Sequence, residues 1–334
     1  MIKLHNKVYD KLLKLFKENI VYLLTLVIVI FIFNYPLAYS IEIPGGFISL
    51  NDRVKIADQY QETGEFGMAY VSVIKGTIPS ILASYIVPDW DVIKNTDMTY
   101  SNENLDQMNY RDKLYQNEAV ANAEYVAYTK SNNDISINNT KLIVAYIDSK
   151  DTGLKINDII TKVNGIEVNT LQDILNQEEN QDSVDLTVIR DNNEMNITVP
   201  LTDYNDSKKM GVIIIPNYNI TANPEFNISE KDNESGPSGG LMMSISIYDK
   251  LTGENLSKGD KIIGTGTISM DGTVGEIGGV KYKLIGAVNH GAKVFICPEE
   301  NYEEAMNIAK EKKYDIEIVS VKTFDDAINY LRSR

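Results

Sequence analysis

One feature constrains this chain before any other: from Asn19 to Ile41 it carries no charge. The centre of that run, Ile20 to Phe33, is almost wholly apolar. At about 1.5 Å per residue, a helix over such a run crosses a hydrocarbon core of roughly 30 Å. Lys3, Lys7, Lys11, Lys14 and Lys17 precede it, against only Asp10 and Glu18. By the positive-inside rule, residues 1–18 form a cytoplasmic tail, 19–41 a membrane helix, and everything after Glu42 lies outside. A cleaved signal peptide is the competing reading, because Ala38-Tyr39-Ser40 offers small residues at a cleavage position.

The remaining length suits two or three domains with their own cores. The formal net charge of -15 argues against a nucleic-acid partner, which would need a basic footprint. The single cysteine, Cys297, excludes an internal disulfide and a cysteine-built zinc site. It stands in the apolar run Val294-Phe295-Ile296-Cys297 and reads as a core residue. There are two histidines, His5 and His290. His5 lies in the tail, so a hydrolase built here needs a base other than histidine unless it uses His290. His290 precedes Gly291 at a helix end, where an imidazole commonly caps carbonyls. No resident metal or cofactor is expected. No Gly-x4-Gly-Lys-Ser/Thr loop occurs in the 334 residues, so no ATP site is expected.

The pattern after the anchor is α+β, in three stretches. Residues 42–132 hold a predicted strand at Phe66–Val73 and a predicted helix from Asn104 to Lys130. Between them lies an apolar patch from Pro79 to Pro88 whose role the sequence does not give. Residues 133–202 are β-rich: strands at Leu142–Ile147, Ile159–Val163, Val184–Ile189 and Met195–Leu201, an Asn164-Gly165 turn, and a capping box at Thr170 to Asp173. Residues 203–334 alternate strand and helix. They begin with a strand at Val212–Ile215 and a helix from Ser238 to Leu251. A hairpin follows over Ile262–Met270 and Thr273–Ile277. Next come a helix at Lys283–Asn289, a strand at Val294–Cys297 and a last helix capped by Thr323.

Two short segments carry chemistry. Gly236-Pro237-Ser238-Gly239-Gly240 opens an apolar helix. Ser238 would sit in its first turn, where unpaired backbone N–H groups and the helix dipole favour an oxyanion. Gly239 and Gly240 would let a substrate backbone approach. Gly278-Gly279-Val280-Lys281-Tyr282-Lys283 opens a second helix. Lys283 precedes Leu284, Ile285 and Ala287, and apolar surroundings lower a lysine pKa. A neutral lysine amine accepts a serine proton and returns it to a leaving amine. Taken singly, the first segment reads as ordinary turn chemistry and the second as a surface charge.

Together and in order, the two segments resemble the peptidase domain of Lon-type proteases. That family pairs a serine in Gly-Pro-Ser-Ala-Gly with a lysine in Gly-Gly-Leu-Lys-x-Lys. Here Gly239 replaces the alanine, and the family's catalytic lysine falls on Lys283. Gly264-Thr265-Gly266-Thr267-Ile268 is similar to the family's Thr-Gly-x-Ile strand, which implies that Thr265 helps hold the lysine amine. Gly291 to Asn301 is similar to its Gly-Ile-x-x-Val-x-x-Pro-x-x-Asn stretch. Some members carry an aspartate three positions before the serine; Ser235 stands there, beside Glu234, so a dyad is expected. Thr152-Gly153-Leu154 to Asn164-Gly165 resembles a PDZ domain, with Asn157 in place of the usual glycine. The carboxylate-binding loop of such a domain would fall near Asn138–Leu142, where its glycine-apolar pattern is missing. The order of anchor, PDZ-like domain and peptidase, with Pro44-Gly45-Gly46 after the anchor, resembles the membrane-bound Lon-like PDZ proteases. The strand near Phe66–Val73 and the helix near Asn117–Lys130 weakly resemble the start of the peptidase domain, which implies a PDZ unit inserted into it.

The resemblance implies an ATP-independent serine endopeptidase in the cell membrane, single-pass, N-terminus inside and catalytic domain outside. Its catalytic residues would be Ser238 and Lys283, supported by Thr265 and Gly239. Its partners would be a peptide or protein substrate and the cytoplasmic membrane. Relatives that carry an ATPase form rings, which leaves room for a homo-oligomer. The rival expectation is a non-catalytic membrane-anchored PDZ adaptor that binds peptides.

Overall fold

The computed structural model describes residues 2–57, 59–61, 63–149, 152–179, 181–204 and 207–334. The elements run α1 (Ile2–Asn34), β1 (Tyr39–Ser49), β2 (Val54–Ile56), β3 (Glu65–Lys75), α2 (Ile78–Ser84), β4 (Asp91–Lys94), α3 (Asn95–Met98) and α4 (Leu105–Lys130). Then come β5 (Asp134–Ile147), β6 (Ile159–Val163), β7 (Ile166–Glu167), α5 (Leu171–Glu178), β8 (Ser183–Arg190), β9 (Asn193–Pro200), β10 (Thr202–Tyr204), β11 (Ser207–Lys209) and β12 (Val212–Asn223). The chain closes with β13 (Phe226–Ile228), α6 (Gly240–Thr252), β14 (Lys261–Gly264), β15 (Thr267–Ile268), β16 (Val274–Gly275), α7 (Val280–Asn289), β17 (Val294–Pro298), α8 (Glu299–Lys312), β18 (Glu317–Val321) and α9 (Phe324–Ser333).

Two compact units share these elements. One comprises residues 1–43 and 73–98, the other residues 44–72 and 99–334. In the first, Lys14–Asn34 of α1 is long and apolar enough to cross a membrane, and none of it is buried. The helix ends earlier than the uncharged run does. Tyr35 precedes Pro36, whose ring disfavours helical backbone in the residue before it. The expected span to Ile41 is therefore corrected: Tyr39–Glu42 is strand, paired antiparallel with Asp91–Lys94.

The second unit holds two sheets. In one, β18, β17, β14 and β3 lie side by side and parallel where β14 and β17 pair, with the later part of β1 next to β3. Both faces of this sheet are covered, as parallel sheets require. Successive residues point to opposite faces. Phe66, Ile262, Val294, Ile296 and Val321 pack with α6, α4 and α9. Ala69, Ile263, Phe295 and Cys297 pack with α7 and α8. Cys297 is fully buried, and burial pushes its thiol up to about 12. Helix α6 is buried all the way from Gly240 to Lys250, which its apolar residues on every side demand.

The other sheet is antiparallel, in the order β12-β5-β6-β8-β9. Its core is Leu142, Val144, Ile160, Val163, Leu186, Val188 and Met210 with Ile174 of α5. Asn164-Gly165 makes the expected two-residue turn, both residues at positive φ. Thr170 caps α5 through the expected box. Asn157 sits at φ 75, a conformation that asparagine tolerates better than most residues, so it can stand where the resembling family has glycine. Asp158 beside it is buried and bound by Arg190 at 2.7 and 2.6 Å.

The strand predicted at Val212–Ile215 is present and runs on to Asn223. Val212–Ile215 opens β12, which pairs along its length with β5 in this second sheet and not with the strands that follow it. Asn138–Leu142 lies within β5, with a register shift against β12 at Asn138, so it is strand and not a loop. A glycine between apolar residues occurs instead at Met210-Gly211-Val212, where Gly211 has φ 68 and the chain enters the edge strand β12.

Helix α4 joins the two sheets. Leu114 packs with Ile143, Ala145 and Ile215 of the antiparallel sheet. Farther along the helix, Ala119, Ala123, Val126 and Ala127 pack in the core around α6. Small residues let the two helices approach closely. Replacing fully buried Ala123 by leucine should overfill that contact and lower stability by about 1–3 kcal/mol, read as a lower urea midpoint with unchanged slope.

Candidate active site

The segment around Ser238 is pinned at several points. Ser229 donates its amide to the Arg53 carbonyl at 3.0 Å. Glu234 takes both arms of the Arg53 guanidinium, one of them at 2.8 Å. Desolvation would raise the Glu234 pKa, but Arg53 outweighs it and holds the carboxyl below its usual range. Glu234 is thus engaged away from Ser238. The Gly236 amide donates to the Asp112 carbonyl of α4 at 2.9 Å. The Ser238 carbonyl accepts from the Gly266 amide at 2.8 Å and from the Thr265 hydroxyl at 3.0 Å.

Ser238 is half-buried and lies in a turn two residues before α6, with Gly239 as N-cap. The expected helix start at Ser238 is corrected accordingly. The Ser238 carbonyl points to Thr265 and Gly266, which holds the turn out of the helix. The expected hairpin after Ile262 also changes. Thr265 continues the parallel pairing of β14 by donating to Ile296 O at 2.9 Å. Only Thr267–Ile268 and Val274–Gly275 form antiparallel strands. Thr265 is fully buried, and the hydrogen bond that its hydroxyl donates goes to Ser238.

Lys283 lies in the first turn of α7 and is 4 % exposed. Among the described residues no carboxylate pairs with it. Burial alone lowers its pKa, to about 8. Gly279 caps this helix at φ 68, and a Cβ there would come within 2.7 Å of Val71. Asn301, 3 % exposed, fixes Ile277, two residues before that cap, with both amide atoms: its Oδ1 accepts from Ile277 N at 3.0 Å, and its Nδ2 donates to Ile277 O at 2.9 Å. The sequence offered Asn301 only as the last letter of a resembling stretch; this clamp is its physical role. His290 points Nδ1 at the Gly286 carbonyl of α7 at 2.8 Å, a capping contact.

Strand β3 ties the two segments together. A Cβ on Gly239 would lie 2.5 Å from Met68 Sδ, while Gly279 abuts Val71. Met68 and Val71 are three residues apart, about 10 Å along a strand and on opposite faces. The serine segment therefore docks on one face of the sheet and the lysine helix on the other. Thr265 stands beyond the carboxyl end of β14, where open α/β sheets place their sites.

Residues 229–333 match the profile of the Lon protease (S16) C-terminal proteolytic domain, and residues 125–201 match a PDZ domain. Curated relatives agree. The Lon protease of Neorickettsia sennetsu is 35% identical over 97 residues, 29% of this chain and 12% of that protein. The Lon protease of Campylobacter concisus is 31% identical over 145 residues, 42% of this chain and 17% of that protein. The chain thus spans less than a fifth of the length of these relatives. Among solved structures, the PDZ domain of an SdrC-like protein from Listeria monocytogenes is 16% identical, covering 22% of this chain and 85% of that one, with a TM-score of 0.21.

A Cβ added at Gly239 would require the Met68 side chain to shift. Gly239→Ala should lower the thermal midpoint. Adding Met68→Ala should recover more than the sum of the single effects allows, and a double-mutant cycle measures that coupling. Residues 229–333 are thus similar to the Lon protease (S16) C-terminal proteolytic domain, and residues 125–201 to a PDZ domain.

Proposed function

We propose that this chain is an ATP-independent serine endopeptidase that works through a Ser238–Lys283 dyad. The observation that carries the reading is Lys283: buried, without a counter-charge, and with its pKa lowered to about 8. Near neutral pH a useful fraction of its amine is unprotonated. That amine takes the Ser238 hydroxyl proton as Oγ bonds to the scissile carbonyl carbon. The resulting ammonium gives the proton to the leaving nitrogen, the C–N bond breaks, and an acyl-enzyme remains. Water, deprotonated by the same amine, then releases the acyl group and restores the serine.

Thr265 is a positioning residue in this scheme. It holds the Ser238 carbonyl, and its hydroxyl oxygen keeps acceptor capacity for the lysine amine. The amides of Gly240, Leu241 and Gly266 are engaged with carbonyls. We assign the oxyanion to the amides of Ser238 and Gly239.

The peptidase domain, in this reading, is assembled from both sides of the PDZ unit, since β3 and α4 share a core with α6. The first helix anchors the chain in the cell membrane with its N-terminus inside and the catalytic domain outside. Substrates are then extracytoplasmic chains that are tethered or already unfolded, since no ATPase loop occurs in these residues to unfold them. The PDZ unit presents extended peptides along the edge of β12, by strand addition.

Peptide or casein cleavage by the full chain tests the dyad. Ser238→Ala and Lys283→Ala should each lower kcat/KM by roughly a hundredfold or more. Activity surviving both changes, or cleavage absent while peptide binding persists, would end the dyad reading; the second result would favour an adaptor. The working base is the neutral amine, so kcat/KM should rise with pH and level off above about 8.

Stability should follow the same group. Its pKa falls from 10.5 unfolded to about 8 folded, so the unfolded chain binds more protons between those values. The contribution of Lys283 to stability therefore improves as pH rises through that window, and its penalty is complete below about 8. That penalty is about 3 kcal/mol. Lys283→Met should thus stabilise the protein at neutral pH by up to about that amount while abolishing cleavage, and lose the advantage at alkaline pH in denaturant titrations.

A further inference from the structure

We infer that helix α2 and the turn after it form a second membrane contact, lying in the lipid interface beside the exit of α1. The inference rests on the reading of α1 as a membrane anchor. Helix α2 is built of apolar residues, Ile78, Pro79, Ile81, Leu82 and Ala83, yet buries none of them. The turn that follows is more exposed still: Tyr85 is 82% exposed and Ile86 84%, with Leu82 at 59%. A contiguous apolar surface of this kind marks a missing partner.

The backbone says which partner. Helix α1 ends at Asn34, and three residues later the Leu37 amide donates to the Gly76 carbonyl at 2.7 Å. The Gly76 amide in turn donates to the Tyr39 carbonyl at 2.9 Å. Thr77, next in line, is the N-cap of α2 and closes a capping box with Ser80. The short helix is therefore fastened at the point where the chain leaves the apolar span, and α2 also touches α1. Exposed Tyr35 and Tyr39 flank that exit, with Tyr85 and Trp90 around α2. Tyrosine and tryptophan favour the headgroup level of a bilayer. Asp89 and Asp91 adjoin the patch and Lys75 and Lys94 flank it, so it carries no excess of positive charge to draw anionic lipid. The contact is apolar insertion into a lipid surface and should resist salt.

Trp90 is the sole tryptophan of the chain and reports on the patch directly. The full chain is reconstituted into phosphatidylcholine vesicles with acyl chains brominated near the headgroup, or left plain. Trp90 emission should be quenched by the brominated lipid, equally at low and high salt. Leu82→Glu combined with Ile86→Glu should remove the quenching while the chain still floats with the vesicles and resists alkaline extraction. Equal emission in both lipids, from chain that stays in the vesicles, overturns the contact and leaves the anchor standing. A blue-shifted but unquenched Trp90 also overturns it and assigns the patch to another protein surface. Chain that washes off in alkali removes the anchor and this inference together.

Discussion

Burial of α6 on every side organises the larger unit. A helix that is apolar all round has no face for water, so its surroundings must supply a complete wall. The parallel sheet gives one side through Phe66, Ile262, Val294 and Ile296. Helix α4 gives another through Ala119, Ala123 and Val126, and α9 a third through Phe324 and Leu331. Because α6 cannot shift, the turn that enters it cannot shift either. Ser238 is held at that entrance by Thr265 and Gly266 from the next strand and, two residues earlier, by the tie from Gly236 to α4.

Rigidity on that side is matched by an electrostatic cost on the other. Lys283 sits in the wall of the second core, on α7, with no carboxylate to offset its desolvation. Proteins tolerate such a group rarely. The clamp of Asn301 on Ile277 and the left-handed cap at Gly279 fix where that helix begins, and so where the amine stands. Helix α4 adds a mechanical link. Its first half lies on the antiparallel sheet, and its Asp112 carbonyl holds the serine segment.

Much of this was legible from residues alone. The capping boxes at Thr170 and Thr323, the Asn164-Gly165 turn and the helix ending at Lys130 depend on neighbours within a few positions, and they stand as read. Local signals failed where partners come from afar. Val212–Ile215 has an ordinary strand pattern, but nothing in it says that its partner is β5, some seventy residues earlier. Ser238 has helix-start neighbours, yet a distant pair of donors keeps it out of the helix. The patch from Pro79 to Pro88 had no reading at all, because its meaning lies in the Leu37–Gly76 hydrogen bond.

The sequence by itself determined the uncharged apolar run, the glycine-flanked segments around Ser238 and Lys283, and the scarcity of histidine. These follow from composition and spacing, which are properties of a string. Tertiary structure alone decided that Lys283 is buried without a partner, that Thr265 holds Ser238, that Glu234 belongs to Arg53, and that α2 leaves its apolar side uncovered. Desolvation and pairing depend on which distant segments pack together, and that choice is made by the whole core at once.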